Sequence, residues 1–192
     1  MFSKELNKKL DHYHLLNHPF YKSWNEGKLT RAIIKDYAEQ YYQHVKAFPR
    51  YISATHSLCE DIEKRKILLE NLNDEENRDA DHPKLWKDFA LAMDADAEEI
   101  EKVKPYQFTK DMIDNFFKNG RSTYAEGLAS LYTYERQIPE IAETKITSSI
   151  LDPVSIRAVE IIVRDPPSSI FLAAPKNLFG LCSAFASTPP VR

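Results

Sequence analysis

Between Asn71 and Trp86 the chain reads N-L-N-D-E-E-N-R-D-A-D-H-P-K-L-W. Carboxylates and an imidazole close together are the oxygen and nitrogen donors that a hard or borderline metal ion takes from a protein. Glu75 and His82 are the candidate pair. Seven residues along one continuous helix would place them on one face but about 10.5 Å apart. That is too far for one shared ion, but within reach of two metals about 3.5–4 Å apart. Pro83 disfavours helical geometry at His82 and would shorten the span. The alternative is a solvated helix face of Asp74, Glu75, Glu76, Asp79 and Asp81, with His82 as a cap, because runs of like charge are usually hydrated.

A second candidate is Glu135, in L-A-S-L-Y-T-Y-E-R-Q-I-P-E. The series Leu128, Leu131, Glu135, Ile138 puts it on an apolar face. A carboxylate buried there must be paired, protonated or metal-bound, and an Arg or Lys partner in the core is an even alternative. A third feature is the tyrosines, 10 in 192 residues, with Tyr21, Tyr37, Tyr41 and Tyr42 clustered early. Their default role is amphipathic core packing, with each hydroxyl finding a partner. Cys59 lies on an apolar helical stretch and reads as an inert core thiol. No glycine-rich phosphate loop and no G-x-S-x-G element is present.

The elements that must position these groups are helices. Apolar residues recur at three- and four-residue steps from Leu6 to Leu16 and from Ile34 through Tyr37, Ala38, Tyr41, Val45 and Phe48. Thr30 and Asp61 are N-caps, and Pro49 is expected to kink rather than end its helix. Further helices are expected from Lys84 to Met93 and from Thr109 to Gly120. Another should open at Ser122 and run, bent at Pro139, to about Ile146. A last short one should cover Val154–Arg164 after the Asp152-Pro153 cap. The fold class is all-α, a bundle of about seven helices with no convincing strand.

Residues 1–164 form the expected domain. From Pro166 onward there are 5 prolines in 27 residues and no acid, so residues 165–192 read as an irregular tail. Ile170–Ala186 is apolar, but Pro175, Lys176 and Asn177 interrupt it well short of a membrane span. Net charge is −3 with a pI near 6.1, which gives no basic footprint for nucleic acid. Two cysteines make no disulfide framework, and the first residues lack a secretory apolar core, so a cytoplasmic protein is expected.

Four blocks, taken together, carry a resemblance. They are H-P-F-Y-K-S-W-N-E-G-K-L at 18–29, Y-A-E-Q-Y-Y-Q-H-V-K-A-F-P-R-Y-I-S-A-T-H-S at 37–57, N-L-N-D-E-E-N at 71–77 with H-P-K-L-W at 82–86, and L-Y-T-Y-E-R-Q-I-P-E-I-A-E-T-K at 131–145. Over about residues 5–150 the chain resembles the heme-oxygenase-like di-iron oxygenases, a group that includes thiaminase II and pyrroloquinoline quinone synthase. The match is strongest to the branch that makes p-aminobenzoate for folate and that in Chlamydia is linked to host death-domain binding. The resemblance implies a di-iron (or iron/manganese) centre with Glu75, His82 and Glu135 as metal ligands and molecular oxygen as co-substrate. It implies Tyr21 or Tyr37 as a sacrificed carbon source and Lys145 as the amino donor. It also implies a homodimer or a host death-domain protein as partners, and delivery into a host cell without a Sec signal as an alternative location. A metal-free remnant, an interaction protein and a cofactor-free oxidase enlisting His18, His44 and Arg50 are the competing readings.

The family's late ligand pattern, H-x-x-x-D-x-x-H, is not written here: the six histidines are at 12, 14, 18, 44, 56 and 82. The metal site is therefore expected to be short of ligands. The abrupt change of composition after about residue 150 suggests a frameshift. Translating the gene's other frames beyond codon 150 should uncover the missing His/Asp pattern, and its absence from both would exclude this origin.

Overall fold

The computed structural model describes residues 2–76 and 81–147. Within them lie eight α-helices, one 3-10 turn and no strand. The helices are α1 (Phe2–His12), α2 (Pro19–Asn25), α3 (Arg31–Ser57), α4 (Ile62–Glu75), α5 (His82–Ala92), α6 (Gln107–Ser122), α7 (Tyr124–Glu135) and α8 (Ile138–Thr147). The helix expected over 154–164 and the tail from 165 lie outside the described residues. No helix among the described residues is long and apolar enough to cross a membrane.

The helix starts follow local chemistry. Thr30 accepts from Ile33 N and opens α3, while Asp61 accepts from Glu63 N and Lys64 N and opens α4. Each satisfies amides that the first helical turn leaves without partners. Asp81, not His82, caps α5, with its carboxylate on Lys84 N and Pro83 in the first turn. Several boundaries differ from the sequence expectation. α1 ends at His12, and Leu15–Asn17 form a 3-10 turn held by the His14 ring. α6 begins at Gln107 without a side-chain cap. Ser122 closes α6, and Thr123 is the cap that starts α7. The break near Pro139 falls at Arg136–Gln137, so the proline sits in the first turn of α8, where its missing N–H leaves no helical bond unmade.

α3 is the spine. At 27 residues it is about 40 Å long and packs against α4, α5, α6 and α7. Pro49 lies inside it and the helix continues past it. Its N-terminal half joins Trp24, Trp86, Phe89 and Ile100 in one core. Its C-terminal half joins Leu68, Leu128 and Leu131 in another. The Trp86 indole N–H donates to the Ala38 carbonyl at 2.8 Å, so the ring is buried without an unmet donor.

Where α3, α6 and α7 meet, bulk is excluded. A Cβ on Gly127 would lie 2.5 Å from Thr55 Oγ1 and 3.2 Å from the Gly120 Cα, and Thr55 is fully buried. Gly127→Ala should therefore destabilise the fold by about 1–3 kcal/mol despite alanine's better helix propensity. Urea unfolding should show that Thr55→Ala recovers part of that loss in the double variant. Strictly additive effects would mean that the contact is not what limits the position.

His44 generates a second expectation. It is fully buried among the rings of Tyr41, Phe48, Tyr51, Phe116 and Tyr134. Neither ring nitrogen meets a hydrogen-bond partner among the described residues. Burial pushes its pKa down from 6.5 to about 3, so between these values the unfolded chain binds the proton and the folded chain does not. The neutral ring's contribution is complete above pH 6.5 and is lost as pH falls toward 3. His44→Phe should flatten the acid limb of the stability curve over that window, as read by thermal melts at fixed pH.

Candidate functional site

Two separate clusters bring together residues singled out from the sequence. The first is an aromatic cage. α2 contributes Tyr21 and Trp24, α3 contributes Tyr37 and Tyr41, α5 contributes Trp86 and α8 contributes Lys145. The spacing of Tyr37 and Tyr41, four residues apart, stacks them on one face of α3, with ring centres 5.4 Å apart. Lys145 is only 8% exposed, and its Nζ lies 5.0–5.9 Å from the centres of these five rings.

The polar contacts are few and directed. Lys145 Nζ donates to Tyr37 OH at 3.0 Å, and the Tyr21 and Tyr37 hydroxyls are 3.4 Å apart. Tyr41 OH hydrogen-bonds Tyr134 OH. Burial raises the pKa of all four phenols, so they are neutral at pH 7; for Tyr37 the neighbouring phenols add to the rise. The same burial pushes the Lys145 amine down from 10.5 to about 7, since no carboxylate among the described residues stands beside it to favour the ammonium. The faces of the five rings act the other way, because each ring quadrupole attracts a cation. The amine is thus held between two opposing effects, and a large neutral fraction near pH 7 follows where desolvation dominates.

The second cluster is the acidic stretch. The sequence expectation of a two-turn separation along one helix is replaced by two helices: α4 ends at Glu75 and α5 begins at His82. Glu75 Oε2 lies 3.0 Å from His82 Nδ1, and the two side chains are 4% and 18% exposed. Glu75 is therefore not on a solvated face, although Glu76 beside it is exposed. Asn71, one turn earlier on α4, is also buried, and neither its amide oxygen nor its nitrogen has a hydrogen-bond partner among the described residues. Glu135 is 4% exposed at the end of α7, as its place in an apolar series requires. Its charge raises the pKa of Tyr41 and Tyr134, which places it beside the second pair of tyrosines.

The fit of a metal centre can be tested on this geometry. No group of three or more His, Cys, Asp or Glu side chains that could hold an ion occurs among the described residues. Glu75 and His82 make one arm, and these residues do not by themselves fit a di-iron or iron/manganese site, which in carboxylate-bridged bundles draws on four helices.

The residues that a cofactor-free oxidase would enlist do not gather. His18 caps α2 by accepting from Phe20 N, His44 is enclosed by rings, and Arg50 lies exposed over Phe117. Cys59 is buried, with its thiol toward the Asp61 carbonyl. Sequence reading did not single out Tyr134, Trp24 or Trp86 for the site. Tyr134 could have been found from its place next to Glu135, and the tryptophans from their position in the matching blocks.

The chain is similar in sequence to known proteins. It is 44% identical over 151 residues to the 4-aminobenzoate synthase of Chlamydia muridarum, covering 78% of this chain and 64% of that protein. It is 45% identical over 147 residues to the enzyme of that name from Chlamydia trachomatis, covering 76% and 63%. It is 39% identical over 156 residues to the one from Nitrosomonas europaea, again covering 76% and 63%. The chain thus spans just under two thirds of the length of the curated relatives it matches. The family model described as TENA/THI-4/PQQC matches residues 4–160, and the chain belongs to that family.

Proposed function

We propose that this chain carries the tyrosine–lysine centre of a p-aminobenzoate synthase. The observation behind this reading is the contact of Lys145 Nζ with Tyr37 OH at 3.0 Å, with the Tyr21 hydroxyl 3.4 Å from that oxygen. A phenol ring carries the carbons of an aromatic acid, and an unprotonated primary amine carries a nitrogen lone pair. An amine competes as a nucleophile only when neutral, and burial in an apolar cage is a standard way to make it so. The cage also excludes water and fixes the amine against the Tyr37 hydroxyl, which lowers the entropic barrier to their reaction. In this reading Tyr21 or Tyr37 is the carbon source and Lys145 the nitrogen donor. The 4-aminobenzoate synthase names of the relatives support the product class.

In such enzymes a di-iron or iron/manganese centre, when bound, supplies the activation of molecular oxygen that ring oxidation needs. Glu75, His82 and Glu135 are the ligands this sequence offers. We infer that the centre is under-coordinated, and that activity is low or absent for that reason. Elemental analysis of chain produced with added iron should give less than a full pair of metals. A full pair that disappears in Glu75→Ala or Glu135→Ala would overturn that part of the reading.

The amine centre has its own tests. Chain labelled with nitrogen-15 lysine, then given ferrous iron, reductant and oxygen, should pass the label into any p-aminobenzoate found by mass spectrometry. Where the unaltered chain gives measurable product, Tyr21→Phe, Tyr37→Phe and Lys145→Arg should each lower the yield by about a hundredfold or more. An unlabelled product, or an undiminished yield from Lys145→Arg, would exclude the lysine as donor.

A pH test needs no turnover. The Lys145 pKa lies near 7 when folded and 10.5 when unfolded, so between these values the unfolded chain holds more protons and stability rises with pH. Below pH 7 the full penalty of the buried ammonium applies. Lys145→Met should stabilise the chain by a few kcal/mol near pH 7, and the advantage should vanish toward pH 10. An advantage that is the same at both ends would mean that the lysine is not held neutral.

A further inference from the structure

A different face of the bundle holds two guanidinium groups that no carboxylate among the described residues pairs with. Arg50 projects from α3 and Arg121 from the last turn of α6. Both lie over the same ring: the guanidinium carbons are 4.8 Å and 4.6 Å from the centre of Phe117. The other arginines that bridge between elements behave differently. Arg31 is held by Asp94 and Arg136 by Asp11. In a chain with 29 acids and 26 Lys plus Arg, an arginine without an acidic partner is not explained by shortage of carboxylates.

The two groups border one surface cavity of about 410 Å³, together with Ser53, Ser57 and Glu76. Ser57 donates its hydroxyl hydrogen to the Ala54 carbonyl, which leaves the oxygen as an acceptor. Ser53 stands one turn earlier on the same face of α3. Two planar forks of N–H donors, already held by a shared ring, have lost part of the side-chain freedom that binding would otherwise remove. Guanidinium forks match the oxygen geometry of phosphate and bind it through paired charge-assisted hydrogen bonds. Hydrogen-bonding alone would admit a carboxylate too. Two forks bordering one cavity favour an anion with oxygens on more than one centre. Glu76 opposes any anion from the rim and lowers the local charge, so the site discriminates against weakly charged ligands.

We propose that the Arg50–Phe117–Arg121 cavity is a binding site for a phosphorylated small molecule, with a diphosphate group favoured over a single phosphate. Arg50 and Arg121 contact the oxygens, Phe117 holds both forks in place, and Glu76 sets the charge threshold. The site is separate from the tyrosine–lysine cage: Arg50 is 13 positions beyond Tyr37 on α3, about 20 Å along the helix axis. It does not depend on the activity proposed above.

The test is calorimetric titration of the 192-residue chain with inorganic pyrophosphate, inorganic phosphate and acetate at low ionic strength. Pyrophosphate should bind saturably, one per chain, and more tightly than phosphate, with no saturable signal from acetate. Arg50→Gln and Arg121→Gln should each weaken pyrophosphate about tenfold or more, while Glu76→Gln should tighten it several-fold. The Glu76 arm guards against an arginine variant that merely folds poorly, since an unfolding artefact cannot raise affinity. No saturable pyrophosphate signal would overturn the proposal. So would heat that persists in both arginine variants, which would be chelation of metal elsewhere, or a Glu76→Gln variant that binds no better.

Discussion

An amine with no carboxylate beside it, enclosed by five aromatic rings, is the constraint around which the N-terminal half of the bundle is arranged. A solvated lysine gives up its water only if something replaces it or if it gives up its proton. Here the replacement is a phenol oxygen at 3.0 Å and the faces of Tyr21, Trp24, Tyr37, Tyr41 and Trp86. Three helices supply those rings, and a fourth, α8, supplies the amine. α2 must lie against α8, α3 must present positions 37 and 41 together, and α5 must bring Trp86 inward. The Trp86 indole bond to the Ala38 carbonyl fixes that last ring to the same turn of α3 that carries Tyr37.

The spine extends the same logic to the other half. α3 leaves the cage at Tyr41, passes His44 in its box of rings, and reaches Thr55, where α6 and α7 close in over Gly120 and Gly127. The buried polar groups along this path are of two kinds. The cage hydroxyls and amine have partners: Tyr21 and Lys145 each meet Tyr37, and Tyr41 meets Tyr134. His44 and Asn71 keep buried polar atoms that no described residue satisfies. Such atoms cost free energy that a purely structural core would avoid, and they sit on α3 and α4.

Much of this was legible in the sequence, for identifiable reasons. The amphipathic series of α3 and the caps at Thr30 and Asp61 are local features, and local features specify helices directly. The burial of Glu135 follows from its place in an apolar series. The pairing of Glu75 with His82 was legible only as a suspicion, because helix periodicity treats residues 75 and 82 as one rod. The Asp81 cap and Pro83 start a separate helix at His82, and where that helix lies relative to the end of α4 cannot be computed from spacing. The break at Arg136–Gln137 was misplaced onto Pro139 for a related reason: a proline marks a helix start as readily as a bend. The cage was least accessible of all. Its members are spread from Tyr21 to Lys145, and nothing in periodicity joins an amine on α8 to rings on α2. Only the resemblance brought Tyr21, Tyr37 and Lys145 into one group.

The two clusters differ in what they need in order to exist. The cage is built wholly from packing: each ring covers another, and the amine needs no external ion to be accommodated. It can persist whether or not metal binds, because its members contribute apolar burial in their own right. The acidic cluster is the reverse. Glu75 is buried with its carboxylate 3.0 Å from the His82 imidazole, and bringing further carboxylates to it without a cation would add repulsion in a region of weak screening. The metal centre proposed there would have to be assembled by the ion itself. The order of the tyrosine–lysine pair is therefore independent of any ion bound at the acidic cluster.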